Sequence, residues 1–360
     1  MKLIHIGDLH IGKTFHKRSI IEDQRHVLDQ IVELMHSQQA NLIIAGDVFD
    51  SANPSLEAQE LFLEFASNVR EACKQHNLHC WIIVGNHDST RRLMLFSNFL
   101  RPNIEIIEDV MTTMVDDVKL CFLSFVKPVT AEMRFNKVFD SYSDAFNAYL
   151  ENVQDKEHTV LTIHQSVENC TTGKSEALTF FDDAILLKDV AEFPLTLAAH
   201  IHKKQKVGDN VYYCGSLLPY AFGDVYTKDI RVWDIQPDGT YTYEDYPINI
   251  LHDLQVIKGN LQHCLTVADT GAFVKVELID ETLTPEFAIT ELKAHFKNLV
   301  TVTAGVKDTW EADLNKPMEQ FASFTEAIDS FCQQIEIPEF TDSQKAIIVE
   351  VADEVKTVVH

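Results

Sequence analysis

Residues 82–90 read IIVGNHDST. An apolar, β-branched run stops on a glycine, and asparagine, histidine and aspartate follow directly. Gly-Asn alone is enough to turn a chain at the end of a strand, so the imidazole and the carboxylate call for another reason. The arrangement recurs at four more places: Gly7-Asp8-Leu9-His10 behind KLIHI, Gly46-Asp47-Val48-Phe49-Asp50 behind NLIIA, Ile163-His164-Gln165, and Ala199-His200-Ile201-His202. Each closes an apolar run of strand length. Amphipathic helical patterns lie between them, at 25–36, where Val27, Leu28, Ile31, Val32 and Met35 share a face, and at 54–74, opened by Pro54. Further strands are expected at 104–107, 118–125, 159–163, 195–199 and 211–214, and a hairpin at 230–246 around Pro237-Asp238-Gly239. The alternation predicts an α/β fold of stacked layers. In such folds ligands gather outside the carboxyl ends of the strands.

A lone aspartate after a strand is usually a turn or helix cap, and a lone histidine usually a core or surface residue. Five repeats at strand ends predict convergence instead. The spacing in Asp8-Leu9-His10 and in His200-Ile201-His202 also sends both side chains to one side of an extended chain. Aspartate, asparagine and histidine without cysteine suit hard or borderline divalent cations such as manganese, iron, zinc or magnesium. Two such ions about 3.5–4 Å apart clamp the attacking and leaving oxygens of a phosphoryl displacement. Asp47, central in its motif, is the natural bridge between them. A water held between the ions would lose a proton readily and become the nucleophile.

At 360 residues, 46% hydrophobic and 24% charged, the chain suits one large core plus a smaller appended domain. No apolar run approaches the roughly 18 residues of a membrane span, and Asp8 and His10 fall where a signal peptide would need its apolar segment. The seven cysteines are scattered, odd in number and never in a CxxC pair. Reduced thiols and a cytoplasmic location, with no membrane partner, are therefore expected. The net charge of −25 argues against a generally nucleic-acid-binding surface. Basic residues nevertheless follow the motifs: Lys13, Lys17 and Arg18, then Arg91 and Arg92, then Lys203, Lys204 and Lys206. After residue 250 the character changes. Residues 254–303 read as strand, strand, helix and strand, and 311–360 hold 11 Asp/Glu against 3 Lys with helical patterning. Three modules follow, at 1–250, 251–310 and 311–360.

The order D-x-H, G-D-x-x-D, G-N-H-D, H, H-x-H resembles the signature of the calcineurin-like metallophosphoesterases. Within them the chain is similar to the SbcD-type nuclease subunits of bacterial double-strand-break processing complexes. That similarity rests on MKLIHIGDLHIGK, on GNHDS followed by RRL, on IHKKQKV leading into YYCGSLLPYAFGD, and more weakly on FASFTEAIDSF and FTDSQKAIIVEV. It implies a four-layer α-β-β-α sandwich with a small C-terminal α+β cap domain and a helical tail. It also implies two divalent ions, most often manganese, with Asp8, His10 and His202 on the first, Asn86, His164 and His200 on the second, and Asp47 shared. His87 then faces the substrate, with Asp50 orienting its imidazole. Asp88 is read as a turn residue or a support for the ligands, ahead of a direct part in the chemistry. Gly7 stands where serine or alanine is more usual, and Ala199 where glycine is. The alanine would matter if its position needed a positive φ.

The resemblance further implies hydrolysis of DNA phosphodiester bonds, by exonuclease or endonuclease action, in end processing, recombination and repair. The implied partner is an SbcC-type ABC ATPase, docked by the final helices. DNA contacts are expected from Lys13, Arg91, Arg92, Lys203, Lys204 and Lys206 and from the backbone amides of Gly215 and Ser216. RRLMLFSNFLRP, with Leu93, Leu95, Phe96 and Phe99, is either a homodimer helix within a heterotetramer or part of the monomer core. Two other readings compete: a phosphatase or cyclic-nucleotide phosphodiesterase on the same fold, and a scaffold without chemistry. The complete set of ligand-type residues speaks against the last.

Overall fold

The computed structural model describes residues 1–173, 175, 184–224, 228–279 and 285–304. One six-stranded sheet is made of β1 (Lys2–Ile6), β4 (Asn41–Ala45), β5 (Cys80–Ile83), β6 (Ile104–Ile107), β13 (Asp229–Ile235) and β14 (Tyr241–Pro247), in the order β14-β13-β1-β4-β5-β6. A second is made of β7 (Val110–Val115), β8 (Val118–Leu123), β9 (Thr159–His164), β10 (Leu195–Ala199), β11 (Gln205–Val207) and β12 (Val211–Tyr213), in the order β11-β12-β10-β9-β8-β7. The centre of each sheet is parallel: β1, β4, β5 and β6 in the first, and β8, β9, β10 and β12 in the second. A two-stranded ribbon, β2 (Thr14–Phe15) and β3 (Arg18–Ser19), follows β1.

The strand sequences explain the layering. Side chains alternate faces with period two. In the first sheet Leu3, Ile43, Ala45, Trp81 and Ile83 meet Leu120, Phe122, Val160, Leu195 and Leu197 of the second. Their neighbours Ile4, Ile6, Leu42, Ile44, Cys80 and Ile82 face the other way. They pack under α1 (Ile21–Gln38), α2 (Leu56–His76) and α3 (Thr90–Leu100). On the far side Cys121, Leu123, Leu161 and Ile163 pack with Phe146, Tyr149 and Leu150 of α5 (Tyr142–Leu150) and with Ala131 of α4 (Pro128–Phe135). Strands covered on both faces need continuous apolar runs, which is what KLIHI, NLIIA and CWII supply. The expected four-layer sandwich is the fold.

Helix starts differ slightly from the sequence reading. α1 begins at Ile21, ahead of the periodic stretch. α2 begins after Ser55, whose Oγ accepts the Ala58 N–H at 3.2 Å, so Pro54 lies outside the helix. α3 has two faces. Leu93 and Leu100 are buried and Phe96 packs on the core, while Leu95 and Phe99 are 68% and 69% exposed. Core packing and an outward apolar face are both present in the one helix.

The region after 250 forms a three-stranded sheet, β15 (Leu254–Gly259), β16 (Phe273–Leu278) and β17 (Leu299–Ala304), with α6 (Leu261–Cys264) and α7 (Pro285–His295). It has its own small core of Ile257, Val274, Val276, Leu292 and Phe296. Phe273 stacks near Phe15, Arg18 donates to Asn298 Oδ1 and to the Leu299 carbonyl, and buried Asp23 accepts from the main-chain N–H and Nδ1 of His252. Residues Met1–Leu278 and the described part of 285–303 fall in one compact unit. The acidic tail at 311–360 lies outside the described residues. Among the described residues no helix is long and apolar enough to cross a membrane, and all the cysteines are free thiols.

Candidate metal centre

All five motifs sit where the parallel strands end. Asp8 and His10 follow β1, Asp47 and Asp50 follow β4, and Asn86 and His87 follow β5. His164 closes β9, and His200 and His202 follow β10. Main-chain bonds zip the first two loops together, from Asp8 N to Gly46 O at 3.1 Å and from His10 N to Asp47 O at 3.0 Å. Gln24 of α1 holds the same turn by donating to the carbonyls of Leu9 and His10. Hydrogen bonds also join the two sheets at the centre. His200 N–H donates to both carboxylate oxygens of Asp8 at 3.0 Å, and His164 Nδ1–H donates to the Ala45 carbonyl at 2.7 Å.

The glycines of two motifs are required by crowding. Gly46 has φ +91°, and a Cβ there would lie 2.4 Å from His164 Nδ1. A Cβ on Gly85 would lie 2.1 Å from Asp47 Oδ1. The functional residues themselves take up backbone strain: Asp8, His10, Asp47 and His200 have φ of 51°, 44°, 50° and 93°. Left-handed backbone at a non-glycine residue costs on the order of 1 kcal/mol or more and tends to mark ligand-holding sites. The positive φ falls on His200 and not on Ala199, so the alanine causes no strain of that kind.

Asp47 lies at the middle of the cluster. Its Oδ1 is 3.4 Å from His164 Nε2, and its Oδ2 is 3.7 Å from His10 Nε2 and 4.0 Å from His87 Nε2. On one side His10 Nε2 and His202 Nε2 are 3.0 Å apart, and donor atoms of Asp8, His10 and His202 lie within 4.8 Å of one another. On the other, Asn86 Oδ1 is 3.0 Å from His164 Nε2 and 2.9 Å from His200 Nδ1. The two carboxylate oxygens thus face two different groups of nitrogen and oxygen donors.

This donor set fits divalent cations. Lone-pair atoms converge in two adjacent groups, ringed by buried side chains, where cations would neutralise two carboxylates and satisfy the facing nitrogens. Burial holds His10 below its ordinary pKa and His202 well below, which leaves both imidazoles neutral and able to ligate. His164 behaves differently. Burial lowers its pKa, but the adjacent Asp47 carboxylate outweighs this and carries it up to about 9, while burial opposes and His164 favours the ionised form of Asp47. A raised histidine pKa stabilises the fold fully below the unfolded value near 6.5, and that contribution is lost as pH rises through about 9. The chelator-treated protein should therefore lose melting temperature between pH 6.5 and 9, and His164→Gln should flatten that slope. Equal slopes in the two proteins, followed by circular dichroism, would remove the ion pair as the cause.

His87 differs from the ligand-like histidines in being 42% exposed. Its main-chain N–H donates to Asp47 Oδ1 at 2.9 Å, and its Nδ1 donates to the main-chain carbonyl of Asp50 at 2.9 Å. Asp50 therefore contacts the imidazole, through its main-chain carbonyl. The Asp50 carboxylate instead accepts from Lys13 Nζ at 2.7 Å and sits 3.4 Å from His10 Nδ1. Asp88 accepts main-chain N–H groups of Val48, Phe49 and Gly85, which stitches the Asp47 loop to the Asn86 loop.

The basic residues divide. Arg91 and Arg92 are exposed on α3, Lys206 is exposed on β11, and Lys203 reaches Thr171 Oγ1. Lys13 stays beside the centre but is neutralised by Asp50. Lys204 is held by Asp229 and Asp245, Ser216 N–H donates to the His202 carbonyl, and Gly215 is packed against the main chain of His202 and Lys204. Lys204, Gly215 and Ser216 thus help build the loop that carries His202, with the Lys204 ammonium and the Ser216 amide engaged within the protein. Two aromatic residues not singled out in the sequence flank the centre. Tyr220 packs edge-on to His10 and His202, and Phe125 packs against His164 and His200. The signal for Phe125 was its place at the end of another parallel strand, β8.

The unusual pair Gly7 and Ala199 is a single packing unit. A Cβ on Gly7 would meet the Ala199 methyl at 2.5 Å. Gly7→Ala should cost about 1–3 kcal/mol through overpacking, and Ala199→Gly in the same chain should recover most of it. Urea unfolding of the single and double variants measures the coupling. Additive effects would mean that the two residues do not share this space.

The sandwich and its two donor groups define a metallophosphoesterase. The profile of the Calcineurin-like phosphoesterase family matches residues 1–204, and the chain belongs to that family. The SbcD component of the SbcCD nuclease from Staphylococcus epidermidis is 29% identical over 279 residues, covering 73% of this chain and 73% of its own length. The protein of the same name from Staphylococcus saprophyticus is 28% identical over 280 residues, covering 74% and 73%. A solved archaeal phosphodiesterase shares 16% identity and covers 68% of this chain and 99% of its own, with a TM-score of 0.35.

Proposed function

We propose that this protein is a metal-dependent DNA nuclease, hydrolysing phosphodiester bonds at the centre formed by Asp8, His10, Asp47, Asn86, His164, His200 and His202. The observation that carries the reading is Asp47, with one oxygen turned to His164 and the other to His10. Asp8, His10 and His202 would hold one cation and Asn86, His164 and His200 the other, with Asp47 common to both. When bound, such ions neutralise phosphoryl charge and make water acidic enough to attack near neutral pH. The donor set makes manganese the first cation to test, with magnesium, iron and zinc behind it.

The chain's own contribution is placement. Asp8 fixes the His200 turn, Asp88 fixes the spacing of the Asp47 and Asn86 loops, and Ala45 sets the tautomer of His164. Because Nδ1 of His87 is bound to the Asp50 carbonyl, Nε2 is the end offered to substrate. There the doubly protonated ring donates its Nε2–H to a phosphoryl oxygen or hands that proton to the leaving oxygen.

The names of the two staphylococcal relatives, each a subunit of a nuclease, support the nuclease reading, and the choice of DNA follows the resemblance of the motifs to SbcD-type subunits. By the same similarity we propose an SbcC-type ATPase as partner, with 311–360 as the docking segment, 251–310 as the cap over the DNA, and Leu95 and Phe99 of α3 as a homodimer contact. Purified protein with manganese should cleave linear duplex DNA as well as bis-p-nitrophenyl phosphate. Cleavage of the small diester alone would move the assignment to a phosphodiesterase of small substrates. Failure on both, with metal bound, would end it.

A further inference from the structure

The two flanks of the metal centre carry the same pairing of an aromatic ring and a lysine, with one difference in charge. Beside His10 and His202, Tyr220 is buried, its hydroxyl donates to the Leu9 carbonyl at 2.8 Å, and Lys13 lies 5.2 Å from its ring centre. That lysine is neutralised by Asp50 at 2.7 Å. Beside His164 and His200, the Phe125 ring lies 6.0 and 5.7 Å from the two imidazoles, and Lys127 Nζ is 5.7 Å from its centre. Phe125 is half-buried and Lys127 is exposed. Among the described residues Lys127 makes no ion pair. In a chain of net charge −25, a positive charge beside a phosphoester site with no counter-charge is a preference for a further anion.

The segment that carries the pair is rigidly held. Ser124 Oγ accepts from Val84 N at 2.9 Å and donates to the Ile107 carbonyl at 2.7 Å. Phe125 N–H donates to the Val84 carbonyl at 2.8 Å, next to the Asn86 turn, and Val126 N–H donates to Gln165 Oε1 at 3.3 Å, next to His164. The backbone that carries the ring and the lysine is thus registered on the same strand ends that position Asn86 and His164, so binding has only side-chain freedom left to order.

We propose that Phe125 and Lys127 form a substrate subsite on the Asn86–His164–His200 side: Lys127 holds a phosphate next to the scissile one, and Phe125 packs on the nucleoside between them. The inference rests on the nuclease reading and adds to it a polymeric substrate contacted beyond its reacting phosphate. A lysine contacts a phosphate as a point charge, and an aromatic ring accepts any base, so the subsite is independent of sequence. A small diester has neither the second phosphate nor the base.

The test compares wild type, Lys127→Ala, Lys127→Arg and Phe125→Ala, with metal content and melting temperature checked for each. Substrates are a single-stranded oligonucleotide and bis-p-nitrophenyl phosphate. Lys127→Ala should raise the KM for the oligonucleotide about tenfold and lower the ratio of oligonucleotide to small-diester kcat/KM by the same factor. It should also reduce the slope of log affinity against log salt by about 0.7, the loss of one phosphate contact on a single strand. Lys127→Arg should restore the slope, and Phe125→Ala should raise KM with the slope kept. An unchanged KM and slope in Lys127→Ala would overturn the subsite while leaving the nuclease reading intact. An equal fall on both substrates would place the lysine's effect at the metal centre and overturn it too. If wild type fails to cleave the oligonucleotide, the nuclease reading itself falls, and the subsite falls with it.

Discussion

Asp47→Asn should lower phosphodiester hydrolysis by at least about a thousandfold and reduce bound metal below that of the wild-type protein. The substitution keeps the shape of the side chain. Its amide oxygen can still accept the His87 main-chain N–H that Asp47 Oδ1 accepts at 2.9 Å, so the loop should stay in place. What is lost is charge and one oxygen. The −NH2 group presents hydrogens where Oδ2 now faces His10 at 3.7 Å or Oδ1 faces His164 at 3.4 Å, and it cannot ligate there. The ion pair that carries His164 up to about 9 disappears as well, so that histidine should titrate lower in the variant. Elemental analysis, rate measurement and the histidine resonances in NMR address these separately. Full metal content with a rate within tenfold of wild type would show that the carboxylate is not shared between the two donor groups.

The second large effect is expected at His87. His87→Ala should lower the rate by about 10²- to 10⁴-fold with metal content unchanged. Its main-chain N–H survives the substitution, so Asp47 keeps that partner. The geometry leaves one rival account open to measurement, because donor atoms of His10, Asp47 and His87 also lie within 4.8 Å of one another. We place His87 outside the ligand set on its exposure and on its Nδ1 bond to the Asp50 carbonyl. Metal loss in His87→Ala would reverse that placement. Asp50→Ala then separates two roles, since it removes the carboxylate that neutralises Lys13 but keeps the carbonyl that holds His87. A much smaller loss than in His87→Ala is expected from it.

The layers of the fold could be read from the chain because parallel strands buried on both faces require largely apolar runs, and KLIHI, NLIIA and CWII are such runs, broken inside only by His5. The donor residues could be read for a related reason. A metal-binding side chain at a strand end has to be a specific chemical type at a specific short spacing, and both are local properties. Contacts that depend on what a distant segment offers could not be read this way. The chain gives no sign that Lys204 lies between Asp229 and Asp245 while Lys127, among the described residues, makes no ion pair. It gives none that Asp50 orients His87 through its carbonyl, or that Ala199 fills the space Gly7 leaves empty.

By itself, then, the sequence determined which donor atoms are present and that each stands at the tip of a strand, since side-chain chemistry and period-two burial are written residue by residue. Only the tertiary structure decided that the two parallel sets face one another, so that Asp8 reaches His200 and Ala45 reaches His164 across the sheets. It also decided which charges near the centre are already balanced. Both are properties of through-space distance between segments up to 192 residues apart, and electrostatic energy and packing follow that distance, not the order of residues along the chain.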